Sequence, residues 1–105
     1  MRTVALVGDL MDRSRVSAAV PDVAFASDPA GCAGAAVVIV DLGRHAAAVA
    51  TVRKLAPEAR IVAFGRHDDP ETIGRARADG ADASVARSLF FRDPAALIAA
   101  GRRRP

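Results

Sequence analysis

Three early acids, Asp9, Asp12 and Asp41, and four arginines, Arg13, Arg44, Arg66 and Arg87, are the side chains best suited to chemistry. Carboxylates of this kind hold a hard divalent cation through oxygen or act as nucleophiles in group transfer. Guanidinium groups pair in bidentate fashion with carboxylate or phosphate. His45, His67 and Asp68 add imidazole and a further acid, but their separations match no recognised ligand spacing, such as two histidines four apart on one helix. They read as ordinary loop residues. The first apolar run is followed by neither a G-x-G-x-x-G nor a P-loop, and no Ser/His/Asp or Cys/His pattern stands out. A dinucleotide or nucleoside-triphosphate enzyme is therefore poorly supported, and no catalytic residue is assigned. The lone cysteine, Cys32, excludes an internal disulfide and any multi-cysteine metal site. It reads as a small buried hydrophobe.

The elements that must position these residues alternate. Apolar runs at Val4 to Val7, Val23 to Ala26, Ala35 to Val40, Arg60 to Phe64 and Ala83 to Ala86 read as strands. Between them, helical spacing covers Asp12 to Val20, with Val16, Ala19 and Val20 inward. A brief helix opens at Asp28-Pro29. Helix is also expected over His45 to Ala56, with Val49, Val52 and Leu55 inward and Arg53 and Lys54 outward, and over Pro70 to Asp79, with Ile73 and Ala76 inward. Gly80 terminates that helix, and Asp93-Pro94 caps a last one anchored by Leu97 and Ile98. Strand-helix alternation five times over predicts an α/β, doubly wound, five-stranded parallel sheet with helices on both faces. The uninterrupted AAVVIV run is the central strand, buried on both sides. Ligands of such sheets sit beyond the carboxyl ends of the strands. That places Gly8, Asp9 and Asp12, then Asp41, Arg44 and His45, then Gly65 to Asp68, then Arg87 and Ser88 along one edge. Two bland roles compete there: Asp12 as the N-cap of the first helix, and Asp41 as the cap of the helix that follows it.

Composition narrows the partners. The net charge of +3 has one source: without Arg102, Arg103 and Arg104 the 15 Lys and Arg fall to 12, equal to the 12 Asp and Glu. The expected organisation is one domain over 1–101 and a basic tail over 102–105. With four Phe and no Trp or Tyr, stacking platforms for single strands are nearly absent, so nucleic acid is not an expected partner. No segment is long enough to span a bilayer, and there is no signal-peptide layout, so a cytoplasmic location is expected.

Three segments resemble response-regulator receiver domains. GADASVARSL, from Gly80 to Leu89, is similar to the closing motif in which Gly-Ala-Asp leads into a strand and then Lys-Pro-Phe. VVIVDL, from Val37 to Leu42, is similar to the strand carrying the phosphoacceptor aspartate, and ALVGDL, from Ala5 to Leu10, to the first strand with its acidic pair. The resemblance covers nearly the whole chain and implies the flavodoxin-like strand order 2-1-3-4-5. It places Asp41 at the phosphoacceptor position and Asp9 at one of two metal-binding acids. The chain departs from the pattern elsewhere. Gly8 replaces the second acid, Gly65 the hydroxyl residue after the fourth strand, Ser84 the switch aromatic, Arg87 the invariant lysine and Ser88 its proline.

The resemblance thus implies a degenerate, pseudo-receiver member acting in bacterial signal transduction by protein–protein contact, without phosphorylation and without a cofactor. The contact surface would be the face of the fourth helix, fifth strand and fifth helix, including Arg75, Arg77, Phe91 and Arg92. The partner would be another signalling protein or a second copy. Arg87 is expected to hold Asp41 in a permanent ion pair. Two alternatives accompany this reading. One is a working receiver, phosphorylated at Asp41 by a histidine kinase, with Mg²⁺ on Asp9 and Asp41. The other is a small-anion or nucleotide-binding module using the arginine-rich edge.

Overall fold

In the computed structural model, which describes residues 2–100, the apolar run of the sequence becomes the middle of a parallel sheet. The strands are β1 (Thr3–Leu6), β2 (Ala24–Phe25), β3 (Val37–Asp41), β4 (Arg60–Gly65) and β5 (Ala83–Ala86), in the order β2-β1-β3-β4-β5. Every pairing is parallel. This is the expected doubly wound, flavodoxin-like arrangement. The helices are α1 (Leu10–Ala19), α2 (Leu42–His45), α3 (Val49–Leu55), α4 (Pro70–Ala78), α5 (Arg87–Arg92) and α6 (Pro94–Ala99), with short 3₁₀ turns at Pro29–Cys32 and Ala46–Ala48.

Successive strand side chains point to opposite faces, and the core divides accordingly. Val4, Leu6, Val38, Val40, Ile61 and Ala63 pack with Leu42, Val49, Val52 and Ala76 on the side of α2 to α4. Ala5, Val7, Val37, Ile39, Val62 and Phe64 pack with Val16, Phe90 and Ile98 on the side of α1, α5 and α6. Both faces of β3 are buried, which is why its sequence shows no alternation.

Three expectations about helices need correction. The helix expected over His45 to Ala56 is not one helix: α2 ends at His45, and a 3₁₀ turn and then α3 follow it. Leu55 is exposed rather than inward, and Arg53 turns in. Its guanidinium donates to the Pro57, Ala59 and Gly80 carbonyls and to Asp82, tying α3 to the loops that lead into β4 and β5. Finally, a helical turn, α5, precedes the one capped by Asp93. The basic segment 102–105 and the domain end at 101 lie outside the described residues.

Candidate functional site

The strand ends converge on a cleft of about 420 Å³ at the carboxyl edge of the sheet. Gly8, Asp9 and Asp12 reach it from β1 and α1, Asp41, Gly43 and Arg44 from β3 and α2, Gly65 and Arg66 from β4, and Arg87 from β5. His45, His67 and Asp68 do not line it. Asp68 accepts from the Arg66 guanidinium at 2.8 and 3.0 Å, and that bond lowers the Asp68 carboxyl below its ordinary value and raises Arg66. Arg13 turns away, donating to the Val7 carbonyl at 2.6 Å and lying over Phe25. Among the described residues no three His, Cys, Asp or Glu side chains are grouped as a metal site.

The expected Arg87–Asp41 pair does not form. Arg87 donates to both oxygens of Asp12, at 2.7 and 3.1 Å, joining α5 to α1 across 75 residues. Asp12 is 4% exposed, so its carboxylate must have a partner. Hydrogen bonding to Asp12 raises the Arg87 guanidinium above its ordinary value against partial burial; Asp12, Asp41 and Asp9 add to the rise electrostatically. The same guanidinium lies 5.6 Å from the Phe64 ring centre and 5.3 Å from that of Phe91. Phe64 stacks on Phe90, and Phe91 meets both edge-on. A planar cation suits this place between a carboxylate and aromatic faces better than an ammonium does.

Asp12 is therefore not the N-cap of α1. That cap is Asp9, whose carboxylate accepts from the Asp12 amide at 3.0 Å. The Asp-x-x-Asp spacing carried this signal, because a cap side chain bonds the third helical residue. Asp41 takes the capping role weighed for it, accepting from the Gly43 amide at 3.0 Å as α2 begins.

The remaining positions singled out from the resemblance are filled differently from what residue types alone suggest. At Gly8 the backbone φ is not positive. A Cβ there would meet the Arg44 side chain at 3.5–3.7 Å, an ordinary contact, so the arginine borders the space a second acid would enter. A Cβ at Gly65 would come within 3.2 Å of Ile73 and 3.4 Å of Leu42, so the place of the hydroxyl residue is closed by core carbons. Ser84 is buried and donates to the Ile73 carbonyl of α4 at 2.7 Å. Arg77, also from α4, donates to the Ser84 carbonyl. The buried Cys32 thiol is raised above its ordinary value by burial, as befits an inert side chain.

Of the surface residues named above, Arg75 and Arg92 are exposed, and Phe91 is half-buried between Arg15 and Arg87. Sequence reasoning passed over Leu10, Met11 and Leu89, which are 79%, 68% and 44% exposed on the first turns of α1 and α5 at this same edge. No described helix is long and apolar enough to cross a membrane.

Comparison with solved structures identifies the fold. The chain is similar to a response regulator protein from Burkholderia pseudomallei, a structure with a phosphorylated aspartic acid, calcium ion and citrate. The TM-score is 0.76 at 19% identity over 93% of this chain, which spans 66% of that protein's length. It is also similar to a response regulator from Thermotoga maritima, with a TM-score of 0.70 at 14% identity over 94% of this chain and 98% of the other. No protein-family model matches the chain, and no curated protein matches it. The chain has the fold of response-regulator receivers.

Proposed function

We propose that this chain is a degenerate receiver-like domain of bacterial signal transduction that works through protein contact and has no phosphoryl switch. One observation carries the reading: Ser84 is buried and bonded to the Ile73 carbonyl, while Ile73 and Leu42 close the space beside Gly65. A phosphoryl group on Asp41 would meet no hydroxyl at the end of β4. It would also find no movable ring on β5, so it would contact two states of the domain equally and shift nothing.

The arginine-rich edge offers little to a free anion. Arg87 is neutralised by Asp12 and Arg66 by Asp68. That leaves Arg44, which shares the cleft wall with Asp9 and Asp41. Protein contact is favoured by the exposed Leu10, Met11 and Leu89, since large apolar side chains at a domain edge mark interaction sites when they gather. The face of α4, β5 and α5 offers Arg75, Arg77, Phe91 and Arg92 to another signalling protein or a second copy. In this reading the domain is cytoplasmic and is not an enzyme.

Incubation with acetyl phosphate and Mg²⁺, followed by intact-mass measurement, tests the reading. The expected outcome is no acyl-phosphate adduct. A stable adduct on the wild type that is lost in Asp41→Asn would replace this reading with that of a working receiver.

A further inference from the structure

The receiver fold raises the expectation of a divalent cation at the strand ends, and the residues present do not suit one. Mg²⁺ asks for near-octahedral oxygen donors, usually including one or two carboxylates. Asp9 and Asp41 each commit one oxygen to a helix cap. Asp12 gives both of its oxygens to Arg87. Gly8 contributes no carboxylate, and the Cδ, Nη1 and Nε atoms of Arg44 lie 3.5, 3.6 and 3.7 Å from where its Cβ would be.

The charges point the same way. Arg66 and Arg87 are each bonded to an acid of their own. Among the described residues, Arg44 is the guanidinium of the cleft wall with no carboxylate within ion-pair distance, and it lines the same cleft as the two half-used carboxylates of Asp9 and Asp41. We infer that Arg44 is the resident cation of this cleft, taking the place of a divalent ion, and that its side chain borders the space beside Gly8. The inference depends on the receiver reading only for the expectation of a metal; the exclusion rests on these side chains. A dication entering the cleft would meet the Arg44 charge, with one uncommitted oxygen on each of Asp9 and Asp41 to offset the repulsion.

Mn²⁺ titration of ¹⁵N-labelled protein, read by paramagnetic broadening of the Gly43 and Gly65 amides, tests this directly. Wild type should show no site-selective broadening at millimolar Mn²⁺. Gly8→Asp alone should gain little, because the new carboxylate pairs with Arg44. Gly8→Asp with Arg44→Met should bind at least about tenfold more tightly than Gly8→Asp alone. Arg44 is exposed, so its replacement leaves the core intact, and the dispersion of the other amides verifies folding in each sample.

Three results would each overturn the inference: selective broadening in wild type equal to that of the double variant, equal affinity in Gly8→Asp and the double variant, or no binding by a folded double variant. None of them produces an acyl phosphate on Asp41, so failure of this inference is distinguishable from failure of the proposed function.

Discussion

Two aspartates at one sheet edge have opposite fates. Asp12 is buried and gripped at both oxygens by Arg87, whose guanidinium also lies over the Phe64 and Phe91 rings. Asp41 stays partly exposed, accepting one hydrogen bond from the Gly43 amide as the cap of a four-residue helix. The acid aligned with a chemical role is thus the loosely held one, and the acid that reads as a plain cap is the structural one. The lesson is that arginine at position 87 takes the buried carboxylate, because desolvation makes leaving it unpaired far costlier than leaving an exposed acid unpaired.

The largest effect should come from breaking the buried pair. Arg87→Ala strands the Asp12 carboxylate and should lower unfolding stability by about 2–3 kcal/mol in denaturant melts. That is less than for a fully buried pair, because the Arg87 side chain is 39% exposed. Replacing both residues, Asp12→Leu with Arg87→Met, should recover most of the loss. A double variant as unstable as the two losses added together would mean the two residues act independently.

A smaller effect should follow from placing at position 65 the hydroxyl that the resemblance to receivers implies there. Gly65→Thr pushes a side chain against Ile73 and Leu42, and overpacking of this kind costs roughly 1–3 kcal/mol. A neutral Gly65→Thr would show that the end of β4 keeps room for a working hydroxyl.

The smallest effect belongs to Asp41. Asn caps a helix about as well as Asp, so Asp41→Asn should change stability by less than about 0.5 kcal/mol. A loss comparable to that of Arg87→Ala would erase the contrast between the two acids.

Much of the fold was legible. The Val/Ile run of β3 and the glycines and prolines between elements give five strands in alternation with helices, and the segments resembling receivers give their order. The role of Asp12 was legible too, though it went unread. Asp12 stands four residues before Val16, on the inward stripe of α1, which the cap geometry of Asp9 leaves it free to join. Other features were not legible, because they depend on contacts between residues far apart in sequence. Arg44 beside Gly8, Ile73 against Gly65 and Arg53 across to Gly80 each join elements that only the folded sheet brings together. The split of the segment from Leu42 to Leu55 was hidden as well, since an alanine-rich stretch suits α-helix and 3₁₀ turn alike.

The central claim is that β5 and α4 hold a single arrangement, fixed by the Ser84 hydroxyl on the Ile73 carbonyl and by Arg77 on the Ser84 carbonyl. Receiver-type switching requires a second arrangement of these elements, exchanging on the microsecond-to-millisecond scale. Amide relaxation dispersion at Gly65, Ile73, Ser84 and Arg87 measures this directly. Flat profiles at all four amides are predicted, and correlated exchange across α4 and β5 would contradict the account.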